Sequence, residues 1–153
     1  MADGRLPKNV KPLNYNLTIE PDLQALTFKG RVAIELVILQ ATDKITLHSL
    51  DLDLSDVCLS VSGQIPASPI RTDHCAETET VTFAFAKTLQ AKVGALLQIK
   101  FSGVLQNGVA GFYRARYKAA DGSKKNACVT QFQATGIALP NMEWPFLRAD
   151  RFM

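Results

Sequence analysis

Residues 28–39 read FKGRVAIELVIL, and the parity of that stretch decides the fold. Phe28, Val32, Ile34, Leu36 and Ile38 share one parity, while Lys29, Arg31, Ala33 and Glu35 take the other. Side chains alternate across a strand with a period of two, so the apolar set lies on one face of a long, half-buried β-strand.

The same period recurs outward from it. In DKITLHSLDLDLSDV, residues 43–57, Ile45 and Leu47 alternate with Thr46 and His48. Leu50, Leu52 and Leu54 then alternate with Asp51 and Asp53 on the opposite parity, which predicts a bend or bulge near Ser49. Val81, Phe83 and Phe85 stand against Thr80, Thr82 and Ala84; Leu97, Ile99 and Phe101 stand against Gln98, Lys100 and Ser102. Two further β-rich pieces, VAGFYRARY and NACVTQF, flank KAADGSKK, whose Asp121-Gly122 is a hairpin signal. Turn-forming stretches SGQIPASPIRTD, AKVG and QNGVAG punctuate the strands. No amphipathic helix of ten or more residues and no internal repeat is found. The reading is one all-β domain, an antiparallel sandwich with curved sheets.

Bulk properties bound the function. The 153 residues suit a single domain with a core of its own. A net charge of +3, carried by dispersed lysines and arginines, argues against nucleic acid as a partner. The start, MADGRLPKNVKP, lacks the apolar segment of a signal peptide. The longest apolar run, VAIELVIL, is interrupted by Glu35 and is far short of a membrane span, so no membrane partner is expected. Cys58, Cys75 and Cys128 are odd in number and widely spaced, which suggests neither a disulfide framework nor a zinc ribbon and points to the cytoplasm. The sequon Asn16-Leu17-Thr18 would go unused there.

Candidates for chemistry are few. His48 is expected on the polar face of its strand, and His74 in the loop RTDHCAETE beside Asp73 and Cys75. Neighbours in an extended segment point apart, whereas zinc needs ligands converging from several elements. Asp51 and Asp53 share a strand face, read as the water-facing side. No catalytic serine arrangement, phosphate loop or His-Glu-x-x-His occurs.

One resemblance organises these pieces. RLPKNVKPLNYNLTIEPDLQALTFKGRVAIEL, residues 5–36, carries Leu6-Pro7, Val10, Pro12, Tyr15, Leu17, Pro21-Asp22-Leu23 and Phe28-x-Gly30-x-Val32-x-Ile34. ITLHSLDLDL, IKFSGVLQNGVAGFYRARY and VTQFQAT follow in order. Residues 5–135 closely resemble the opening of puromycin-sensitive-type zinc aminopeptidases, in the gluzincin aminopeptidase N family. The resemblance implies a saddle-shaped N-terminal β-domain over residues 1–135, packed on a catalytic domain that would be its partner. It also implies a Gln-x-Glu at the domain's last strand, whose Glu helps hold the substrate's free α-amino group. Gln131 matches that motif, but Gln133 stands where the family has Glu. A carboxylate pairs an ammonium by a charge-assisted hydrogen bond, whereas an amide only accepts one, so weaker selection for a free peptide N-terminus is expected.

Residues 136–153, GIALPNMEWPFLRADRFM, form a divergent C-terminal tail in which Pro140 and Pro145 discourage a continuous helix. The family's zinc ligands belong to the catalytic domain, so this chain is expected to end before it. It then needs no cofactor and catalyses nothing alone, the zinc belonging to the full-length enzyme. The alternative is a stand-alone binding or regulatory module that pairs with that enzyme.

Overall fold

The alternation of residues 28–39 is realised side chain by side chain. The structure, a computed structural model, describes residues 6–107, 111–131 and 146–148. Phe28, Val32, Ile34, Leu36 and Ile38 are all buried, each of them on β2 (Thr27–Ile38). β2 lies second in a four-stranded sheet of order β1-β2-β7-β4, with β1 (Val10–Asp22), β4 (Leu52–Val61) and β7 (Gly94–Val104), all paired antiparallel. A second sheet has the order β10-β3-β6-β5, with β3 (Thr42–Leu50), β5 (Arg71–Cys75), β6 (Thr80–Leu89) and β10 (Phe146–Arg148). Its pairs are antiparallel apart from the three-residue β10, which runs parallel to β3. Ile45, Leu47, Val81, Phe83 and Phe85 of this sheet join Ile34, Leu97, Ile99 and Phe101 of the first in one apolar cluster. That makes the all-β antiparallel sandwich expected from the pattern. Each fully buried side chain of this size contributes roughly 1.5–3 kcal/mol by leaving water.

Up to β7 the chain crosses between these two sheets four times, and local chemistry marks the crossings. Between β3 and β4 the turn falls on Asp51, at φ 54°, two residues beyond Ser49. Between β6 and β7, Lys92 adopts φ 66° and donates its N–H to the Ile38 carbonyl at 2.7 Å, tying the connection back to β2. The β1–β2 turn is held by the Asp22 carboxylate, which accepts the Gln24 and Ala25 N–H groups, both at 2.9 Å.

Two glycines on the inner face of the first sheet are filled from the opposite strand. Gly30 pairs with Phe101 and Gly103 pairs with Phe28 across the β2–β7 ladder. A Cβ at Gly30 would overlap Cζ of Phe101 and lie 2.6 Å from the Thr18 carbonyl oxygen. One at Gly103 would meet Phe28 Cζ at 2.6 Å. Glycine inside a strand normally weakens it, but here it leaves the space an aromatic ring occupies.

Two local expectations are corrected. His74 is not in a loop: residues 71–75 form β5, an edge strand whose five side chains are exposed. Backbone pairing to β6 makes that strand without any apolar alternation to announce it. His48 is not on a solvated face: it is 8% exposed, on an inner strand where Thr80 of β6 and Phe146 of β10 flank it in register.

Candidate functional site

The last long strand pair carries the residue singled out by the resemblance. β8 (Gly111–Lys118) and β9 (Lys124–Gln131) form a two-stranded antiparallel hairpin. Its turn follows the Asp-Gly signal: Gly122 adopts φ 82°, and Asp121 accepts the Ser123 N–H at 2.9 Å and its hydroxyl at 2.6 Å. Those bonds from Ser123 hold the Asp121 carboxyl below its usual range.

A two-stranded hairpin is marginal alone, so its attachment matters. Phe112 is buried, and its ring meets that of Phe28 edge-on, with centroids 5.3 Å apart. Phe28 in turn meets Phe101 at 6.4 Å, so the hairpin base joins the ring stack over the two glycines. Polar ties add to this: Arg114 donates Nε to Asn107 Oδ1 at 2.9 Å, with a second bond from Nη2, and its N–H reaches the Gln106 carbonyl at 3.1 Å. Asn126 reaches the Leu23 carbonyl at 3.5 Å, linking β9 to the β1–β2 turn. The register therefore sets Gln131 opposite Gly111 at the anchored base of the hairpin, as the last residue of β9. Gln133 lies outside the described residues, as does most of the tail.

The other candidates separate or converge as follows. Asp51, Asp53 and His74 line one open polar pocket of about 380 Å³ with Ser49, Gly103 and Gln106. The sheet pairing brings His74 and the two aspartates round one depression. Among the described residues no three His, Cys, Asp or Glu side chains are placed to hold a metal ion. With both histidines apart, one buried in β3 and one exposed on β5, the donor set does not fit the zinc that the resemblance implies for the whole enzyme. Cys75 is exposed, and hydrogen bonds from the Thr78 side chain and backbone hold its thiol below the usual value. Burial pushes the Cys128 thiol up. No helix of the described residues is long and apolar enough to cross a membrane.

A comparison with protein families matches residues 11–140 to the peptidase M1 N-terminal domain. The chain belongs to this family. Among curated relatives of the M1 N-terminal domain, the mitochondrial aminopeptidase 2 of Saccharomyces cerevisiae is 39% identical over 151 residues, 95% of this chain and 15% of that protein. The endoplasmic reticulum aminopeptidase 1 of Rattus norvegicus is 30% identical over 150 residues, again 95% of this chain and 16% of that protein. The puromycin-sensitive aminopeptidase of Caenorhabditis elegans is 30% identical over 147 residues, 95% of this chain and 15% of the relative. This M1 N-terminal domain thus spans about 15% of the length of the aminopeptidases it matches.

Proposed function

We propose that the chain serves as the non-catalytic N-terminal β-domain of a zinc aminopeptidase that removes N-terminal residues from peptides. In this reading it helps receive the peptide N-terminus through Gln131 and Gln133, and it packs on a catalytic domain that supplies the zinc. The observation that carries the reading is the family match over residues 11–140, together with Gln131 at the end of β9. An amide at position 133 accepts a hydrogen bond from an ammonium without a counter-charge, so discrimination for a free amine is weak. Three free cysteines support a reducing compartment, and we place the chain in the cytoplasm. The tail at 136–153 diverges from the family's sequence, and its described residues Phe146–Arg148 add a short strand beside β3.

Nuclear magnetic resonance titration with leucine amide and with N-acetyl-leucine amide tests the site. The expected result is shifts at Gln131 and its neighbours, slightly larger for the free amine, with the preference increasing several-fold in Gln133→Glu. No gain in Gln133→Glu would sink the amine-binding role. Hydrolysis of a fluorogenic leucine amide by the purified chain would overturn the non-catalytic reading.

A further inference from the structure

The far end of the β8–β9 hairpin has a different character from its base. Residues 111–131 hold five cations, Arg114, Arg116, Lys118, Lys124 and Lys125, and one carboxylate, Asp121, a net charge of +4. The whole chain is +3, so the remaining residues together are net −1. Arg114 is engaged at the base by Asn107, and Asp121 is engaged by Ser123 within its own turn. Arg116, Tyr117, Lys118, Lys124 and Lys125 are all exposed. Among the described residues the ion pairs are Arg71 with Asp73 and Lys100 with Asp56, neither of which touches the hairpin.

Register sharpens the point. Lys118 stands directly opposite Lys124, and Arg116 opposite Asn126, all on one hairpin face. Side chains directly opposite on a ladder have Cβ atoms about 4.5–5.5 Å apart, and like charges there are destabilising. Arg116 and Lys118 are separated by about 7 Å along the strand, the spacing of alternate residues in any extended chain.

We propose that the distal half of this hairpin docks an acidic, extended polypeptide segment. Carboxylates spaced at alternate residues would sit over Arg116 and between Lys118 and Lys124, relieving the repulsion of the lysine pair. Tyr117, opposite Lys125 on the other face, would extend the contact round the tip. A phosphate backbone fits less well: nucleic acid needs a long basic stripe, whereas these cations sit on two faces of a narrow tip and the remainder of the chain is net negative. Gln131 lies seven positions along β9 from Lys124, about 24 Å of strand, so this surface is distinct from the base of the hairpin.

Fluorescence anisotropy with a labelled peptide of alternating Glu and Ser decides the matter, with the Gln-Ser peptide and a single-stranded oligonucleotide of equal charge as competitors. The expected outcome is binding of the Glu peptide alone, weakening as salt rises. Combined reversal of Arg116→Glu, Lys118→Glu and Lys124→Glu weakens it by roughly tenfold or more, as three exposed ion pairs warrant. The charge-matched control Lys29→Glu, Lys44→Glu and Lys87→Glu, all exposed positions on the sandwich, should cost far less. Equal loss in the control would overturn the proposal, as would tighter binding of the oligonucleotide or no binding of the Glu peptide. Should the triple reversal unfold the hairpin, Lys124→Glu alone and the Glu-versus-Gln comparison on the unaltered chain decide the question in the same terms.

Discussion

Gly30→Ala is the most informative substitution in the sandwich, because two effects of opposite sign compete there. Gly30 does not sit in the left-handed region, so alanine can adopt its backbone conformation. Loss of chain freedom in the unfolded state alone would make alanine stabilising by about 0.4–1 kcal/mol. Against that, the new methyl would overlap Phe101 Cζ and lie 2.6 Å from both Phe101 Cε2 and the Thr18 carbonyl oxygen. The ring can yield only by leaving its place against Phe28, and the carbonyl belongs to the paired strand β1. Overpacking of this kind costs about 1–3 kcal/mol, and the backbone contact favours the upper half of that range. The net expectation is destabilisation by about 1–2.5 kcal/mol. In urea melts with a slope near 2 kcal/mol/M, the midpoint should fall by roughly 0.5–1.2 M with the slope unchanged. Gly94→Ala is the internal control, since its nearest atom would be the Leu36 carbonyl oxygen at 3.9 Å. It should be neutral or slightly stabilising. Adding Phe101→Leu to Gly30→Ala should cost less than the sum of the two single changes, as expected of side chains in contact. If Gly30→Ala proves as harmless as Gly94→Ala, the account of ring and glycine as one packed unit is wrong.

Three further outcomes are expected. Phe112→Ala should destabilise the hairpin attachment by about 3–5 kcal/mol, with amide exchange quickening in β8 and β9 well before β2 and β7; uniform quickening would mean that the ring is not a local anchor. Backbone N–H groups of Ala25 and Gln24 lower the Asp22 carboxyl, so its contribution is complete above the unfolded-state value near about 4 and is lost as pH falls through the lower folded-state value. Asp22→Asn keeps the acceptor but not the titration, so acid melts of the variant should fall less steeply below about pH 4; identical slopes would remove Asp22 from the acid response. Iodoacetamide at neutral pH should modify Cys75 before Cys128, because the lowered, exposed thiol holds more thiolate than the thiol raised by burial; mass mapping that finds Cys128 first would contradict both environments.

What could be read in advance follows from what each element needs. β2 and β7 are buried on one face, so their sequences must alternate, and the alternation located their core residues. β5 needs nothing apolar, since its five side chains are exposed and its ladder is all backbone; RTDHC carries no periodic mark, so its sequence alone reads as loop. His48 shows the converse, a polar residue on the strand's non-apolar parity that is nevertheless buried on an inner strand. Neighbour relations between strands are set by long-range packing, which is why the pocket joining Asp51, Asp53 and His74 was invisible to local pattern. Gln131 was singled out by family resemblance, and no spacing or charge pattern near it would have done so. The cations of the hairpin tip read as dispersed along the chain; the facing of Lys118 and Lys124 needed the register.

The order of β2 and β7 has a consequence for synthesis. Their ladder runs from Thr27 paired with Val104 to Val37 paired with Gly94, so the central seam of the first sheet joins residues up to 77 positions apart. At translation rates of about 5–20 residues per second, the apolar stripe of β2 waits roughly 4–15 s for its partner to leave the ribosome. During that interval β1 is the one ladder partner β2 has, and the pair is an isolated hairpin that is marginal in water. The nascent chain is therefore most vulnerable to aggregation between the emergence of Ile38 and that of Val104, and chaperone capture should concentrate in that window.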